Sequence, residues 1–315
     1  MKVRYTFLVL MTVLALVISA CAGIGQSQPV TMRIGWAGSP DTLNPGVAVL
    51  TEAYTIFGLV FDAMYQLQLD GSFTLSLAES VSVSDDALIY TYKIRDGVKF
   101  HDGQPLTSED IVFTYDLYAN TEGYPWMGDY TTYFESVEAT ENNEVVITLS
   151  EAIPNIDAQL VFMYILPKHI WENEDAVEFE NVAVIGSGPF KMVEYKPNEF
   201  VHLAANKDYF GTAPKVDEVI FQTFENQDAL VQAIKTGQVD LITEMANTAV
   251  AGLRGDPNIE VVTGAPFSPG VTDILINQTL PENCPPGDGV CSGHPALLDP
   301  KYAWRCHMQR TNRKL

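Results

Sequence analysis

At 315 residues and 47% hydrophobic side chains, the chain can bury a sizeable core, and its length argues for about two domains. Its 40 Asp and Glu against 18 Lys and Arg leave a formal charge of −22, which excludes a nucleic-acid surface, since gripping a phosphate backbone takes clustered cations. Such an acid excess suits a solvated surface facing the outside of a cell.

Lys2 and Arg4 precede an apolar run from Tyr5 to Ala20, the pattern of an export signal over residues 1–20. The run ends in Ser19-Ala20-Cys21, and small residues before a cysteine resemble the lipobox of bacterial lipoproteins, in which the thiol carries diacylglycerol. An ordinary secretory signal or a single membrane anchor are the rival readings, although the run is short for a span. On the lipoprotein reading the mature chain starts at Cys21 and residues 21–30 form a tether.

Residues 31–37 alternate as a first strand, and Gly38 to Pro45 turns the chain. Thr51 to Tyr65 carries Ile56, Leu59, Val60 and Met64 at helical spacing. A hairpin follows over Leu67 to Leu77 around Asp70-Gly71. Ile89 to Ile94 reads as a half-buried strand, Asp96-Gly97 as a turn and Phe100 as the end of a short second strand. His101-Asp102-Gly103-Gln104-Pro105 is dense in turn formers. Thr107 then caps a helix whose first turn holds Glu109 and Asp110 and whose apolar stripe holds Ile111, Tyr115 and Tyr118.

Beyond that helix, the loop from Thr121 to Tyr130 is aromatic enough to plug a local core or line a cleft. Tyr133 to Leu149 forms a hairpin turned at Asn142-Asn143, and Pro154 to Met163 a short helix. Another hairpin joins Phe190–Tyr195 to Phe200–Ala204, followed by a strand at Glu218–Thr223. Then come a helix at Gln227–Lys235 ended by Gly237, a buried strand at Val239–Ile242, and a βα step over Thr243–Arg254 and Ile259–Thr263. Val271 to Asn277 reads as a strand leaving the lobe.

Catalytic readings are weak on this pattern. Gly186-Ser187-Gly188 suggests a nucleophile elbow, but Ile185 stands where that motif needs its first glycine, and no strand-to-helix turn follows. The histidines at 101, 169, 202, 294 and 307 show no i, i+4 pair and no carboxylate frame for a metal. Cys284 and Cys291 flank Pro-Pro-Gly-Asp-Gly-Val and suit a small disulfide loop, with a metal site using His294 as the rival. No cofactor is expected.

The uninterrupted string KIRDGVKFHDGQPLTSEDIVFTYD, from Lys93 to Asp116, closely resembles the signature of the family 5 solute-binding proteins, the extracytoplasmic receptors of oligopeptide, dipeptide and nickel ABC importers. The Leu43-Asn44-Pro45 segment, Leu166 to Trp171, Gly186 to Phe190 and Asn206 to Gly211 resemble the same family. The resemblance implies an α/β, periplasmic-binding-protein-like fold of type II, cluster C, with mixed sheets. Lobe I would have a core subdomain, 31–58 and 183–270, and an inserted one, 59–182; residues 271–301 would start lobe II. It implies a monomeric binding protein, not an enzyme, that passes peptide or another small solute to membrane permease subunits. Ligand contacts are implied at Val47, Tyr124, Trp126, Phe267 and Asp273.

The likeness stops near Lys301. Residues 302–315 carry Arg305, Arg310, Arg313 and Lys314 against no acid, which reads as an aberrant tail from a shifted frame or a fragment's end. On that reading only the first lobe and the start of the second are encoded, and weak solute binding is expected.

Overall fold

A computed structural model describes residues 28–262, apart from 69, 244 and 246. The expectations for Cys21, Phe267, Asp273, Cys284, Cys291, the signal, the start of lobe II and the basic tail therefore lie outside the described residues.

Two sheets organise the structure. The first has five strands: β1 (Thr31–Trp36), β8 (Phe190–Lys196), β9 (Phe200–Ala205), β10 (Glu218–Thr223) and β11 (Leu241–Ile242). Their order is β11-β1-β10-β9-β8, with β1 parallel to both neighbours and β8 to β10 antiparallel. The second sheet lies within the stretch between β1 and β8. It orders β4 (Ala78–Val83), β5 (Ile89–Ile94), β7 (Glu144–Leu149) and β6 (Phe134–Thr140) as β4-β5-β7-β6, antiparallel throughout. A small hairpin pairs β2 (Tyr65–Leu67) with β3 (Phe73–Leu75).

Strand alternation explains the second sheet. On β5, Tyr90, Tyr92 and Ile94 are buried, and on β7 Val145, Ile147 and Leu149 are, so the two strands turn one apolar face inward. Helix α2 (Ser108–Asn120) covers that face with Ile111, Tyr115 and Tyr118. Its start is capped from within the first turn: the Asp110 carboxylate accepts from the Thr107 N–H at 2.9 Å and from the Thr107 hydroxyl at 3.0 Å. The other Asp110 oxygen accepts the Lys168 N–H at 3.1 Å, which fixes the short helix α5 (Lys168–Trp171) against α2. Two further short helices, α3 (Met127–Thr131) and α4 (Ile156–Leu160), sit in the connections.

Four expectations are corrected. The helix expected over Thr51–Tyr65 is α1 (Thr51–Val60); it stops because the Val60 carbonyl accepts from the Gly188 N–H at 2.8 Å rather than from a fourth residue onward. The residues beyond it, Phe61 to Met64, stay buried in an extended path. The buried strand expected at Val239–Ile242 is only β11, on the sheet edge with Leu241 exposed, since it pairs with β1 alone. The strand expected to end at Phe100 is a single bridge, Lys99 to Pro105. After α6 (Gln227–Lys235), the expected βα step reduces to α7 (Asn247–Ala251), and Ile259 donates into a turn at Asp256 instead of extending.

Candidate functional site

Two constellations stand out. The first is a pair of braced loops carrying apolar side chains. Asn44 is fully buried and works in both directions: its amide donates to the Ala176 and Phe179 carbonyls at 2.9 and 3.1 Å, while its oxygen accepts the Gly46 N–H at 2.9 Å. Asn181 donates to the Leu43 carbonyl at 2.8 Å, and Asp41 accepts the Val49 N–H at 2.8 Å. The loop before α1 is thereby tied by five hydrogen bonds. Tyr124 joins it, with its hydroxyl donating to the Ala176 carbonyl at 2.9 Å and its ring against Gly46.

This bracing presents apolar groups to solvent. Val49 and Leu50 are exposed on one loop, and Trp126 is 50% exposed at the N-cap of α3. Val47 is partly buried against the core. Tyr124, only 9% exposed, has its ring edge-on to Tyr118 and its hydroxyl already engaged. Of the three described candidates for ligand contact, Trp126 alone offers a large free face. Such rigid exposed aromatic surface binds apolar and aromatic groups at small entropic cost.

The second constellation brings together the two motifs that tempted a catalytic reading. Gly186 and Gly188 lie flat against the end of α1, where a β-carbon would stand 2.1 Å from the Val60 carbonyl oxygen at Gly186 and 2.7 Å from the Val60 carbonyl carbon at Gly188. Between them Ser187, 1% exposed, donates to the Asp62 carboxylate at 2.8 Å, and Tyr209 donates to the other oxygen at 2.8 Å. Burial pushes the Asp62 carboxyl up to about 6 despite both donors. His101 reaches in from the signature turn, with Gly186 N–H donating to Nδ1 at 3.3 Å and Nε2 lying 3.0 Å from the Gly188 carbonyl. Asn206 donates to the same carbonyl at 3.1 Å.

Serine, histidine and aspartate thus converge, yet in an order that suits no nucleophile. The Ser187 proton goes to a carboxylate and not to an imidazole, the hydroxyl is shut from solvent, and both His101 nitrogens are committed to backbone. What the cluster does is join the two sheets, because it links α1, the signature turn, the loop entering β8 and the loop leaving β9. Among the described residues no group of three or more His, Cys, Asp or Glu is placed to hold a metal. Two histidines do face one carboxylate each: His169 stands 2.7 Å from Asp102 and His202 3.7 Å from Glu218.

Comparison with known proteins then places the chain. Residues 72–299 match the model of the bacterial extracellular solute-binding proteins, family 5. The chain belongs to that family. The oligopeptide-binding protein AppA of Bacillus subtilis is 30% identical over 289 residues, which is 85% of this chain and 53% of AppA. A putative ABC transporter peptide-binding protein of Brucella ovis is 32% identical over 210 residues, 65% of this chain and 39% of that protein. Among solved structures, the ABC transporter substrate-binding protein CtaP of Listeria monocytogenes superposes with a TM-score of 0.63 at 34% identity, covering 70% of this chain and 45% of CtaP. AppA in complex with a nonapeptide superposes with a TM-score of 0.65 at 29% identity, over 72% of this chain and 47% of AppA. The mixed α/β fold is therefore that of the periplasmic solute-binding proteins, and the chain spans about half the length of the relatives it matches.

Within this family frame, the sequence alone pointed to the aromatic loop but missed Asp62, which carries no local motif, and missed the role of Tyr209, which lay inside the recognised Asn206–Gly211 segment. Asn44 lay inside a recognised segment, although nothing in Leu-Asn-Pro announces a three-bond brace.

Proposed function

We propose that this family 5 protein captures oligopeptides outside the cytoplasm and delivers them to the membrane permease of an ABC importer, without catalysing a reaction. The observation that carries this reading is the kinship with AppA, whose solved structure holds a nonapeptide, over most of the described fold. The braced loops support it: they hold Trp126, Val49 and Leu50 out to solvent on a rigid frame, which suits recognition of extended chains with varied side chains. In this reading Trp126 and Val47 belong to the ligand wall, with Tyr124 backing it, and Phe267 and Asp273 are further ligand contacts. Residues 31–58 with 183–270, and 59–182, are the two subdomains of the first lobe. The chain acts as a monomer, Cys21 carries the lipid that keeps it at the membrane, and Cys284 and Cys291 close a disulfide.

Titration calorimetry with a nonapeptide, a dipeptide, a nickel–histidine complex and a neutral sugar tests the substrate class. Weak binding heat with the nonapeptide and none with nickel or sugar is the expected outcome. Binding of nickel–histidine or sugar in preference to both peptides would overturn the peptide assignment. Palmitate labelling of wild type and Cys21→Ser tests the anchor; label that survives the substitution would refute it.

A further inference from the structure

His101 grips the Gly186–Gly188 loop with both ring nitrogens at once. Because the Gly186 N–H donates to Nδ1, that nitrogen carries no proton, and the ring proton sits on Nε2, where it donates to the Gly188 carbonyl. Only the neutral ring in this one tautomer satisfies both contacts. A second proton on Nδ1 would stand against the Gly186 N–H. The backbone of His101 belongs to the same joint, since its N–H donates to the Gly186 carbonyl at 2.8 Å.

The charged groups around the ring do not welcome imidazolium. Lys191 approaches the His101 carbonyl at 3.5 Å and opposes a second positive charge. Asp102 favours it weakly, but its carboxylate already faces His169. Across the loop, Asp62 is held by Ser187 and Tyr209, and Arg95 is near enough to act on Tyr209. Burial is the largest influence on the ring and pushes it down to about 4, whereas Asp62 lies at about 6. As pH falls, the joint therefore loses its buried negative charge before the ring gains a positive one.

We propose that His101 is an acid-sensitive latch between the two sheets: protonation at Nδ1 expels the ring from the Gly186 amide, frees the Gly186–Gly188 loop and loosens the joint between the signature turn and the strand that enters the five-stranded sheet. The latch is closed at neutral pH and opens progressively on acidification.

Amide hydrogen exchange at Gly186, corrected for the intrinsic pH dependence of exchange, reads the latch directly. Protection should fall between pH 6 and 4 by up to about tenfold per pH unit, the limit that linkage to one proton sets, less what protonation of Asp62 restores. Two variants remove the titration while each keeps half of the grip: His101→Gln retains a donor for the Gly188 carbonyl, and His101→Asn an acceptor for the Gly186 N–H. In both, the acid-induced fall should vanish, leaving only the opposite trend that protonation of Asp62 imposes on the loop. Wild-type protection that does not fall relative to both variants from pH 7 to 4 would overturn the proposal. If neither variant folds, the ring titration of wild-type His101 by NMR decides: a midpoint below about 6 supports the latch, and one at the free-histidine value of about 6.5 or above refutes it.

Discussion

The ring of Tyr124 occupies the space in front of Gly46, so that a β-carbon on that glycine would lie 2.2 Å from the tyrosine Cζ. A sequence change at either residue is therefore felt at the other. Gly46→Ala should destabilise the protein by about 1–3 kcal/mol through overpacking. Tyr124→Phe, which loses the hydroxyl bonds to Ala176 and Thr121, should cost about 1–2 kcal/mol. Urea unfolding of both variants checks this; an alanine at 46 as stable as wild type would mean that the loop yields without cost.

The Asp110 carboxylate serves three donors, two of them backbone N–H groups in different elements. Asp110→Ala should cost about 2–4 kcal/mol, since it strips the cap of α2 and leaves the Lys168 N–H unpaired. Asp110→Asn, which keeps an acceptor, should recover part of that loss. Equal instability of the two variants in denaturant titrations would show that charge, not acceptor geometry, is what the cap needs.

Asp62 makes stability depend on pH in an unusual direction for a carboxylate. Its folded value of about 6 exceeds the unfolded 3.8, so between these values the folded state binds more protons. The contribution of this group is fully present below 3.8 and is lost as pH rises through 6. Ser187→Ala, which removes a donor to the ionised form, should cost about 1–3 kcal/mol at pH 7.5 and less at pH 5. Denaturant midpoints at the two pH values give the test, and an identical cost at both would show that Asp62 does not change its charge between them.

Trp126 is half exposed, so Trp126→Ala should change stability by no more than about 0.5 kcal/mol. If it forms part of the ligand wall, nonapeptide affinity should fall at least about tenfold, equivalent to about 1.4 kcal/mol. Calorimetry on the variant separates the two effects; unchanged affinity would remove Trp126 from the site.

The local parts of this fold were legible because their signals are local. The cap at Thr107–Asp110, the stripe Ile111, Tyr115, Tyr118 and the turn at Asn143 each depend on residues a few positions apart. The joint was not legible, since Ser187 meets Asp62 across 125 residues and Tyr209 meets it across 147. His101 and the Gly-Ser-Gly loop both drew notice as isolated motifs, and their shared purpose became visible only when the backbone brought them together. The end of α1 was misread for the same reason: Val60 looks like any helical valine until Gly188 takes its carbonyl.

The parallel pairing of β1 has a consequence for the order of assembly. Thr31 pairs with Glu218, its hydroxyl donating to that carboxylate at 2.9 Å across 187 residues, and β11 follows later still. The second strand in from one edge of the sheet is thus the first part of the described chain to be synthesised and among the last to find partners. At roughly 5–20 residues per second, the ribosome leaves β1 waiting for roughly 10–40 s, while β4 to β7 already have every neighbour they need. The slow phase of refolding should accordingly be the closure of the five-stranded sheet around β1, with the antiparallel sheet formed before it.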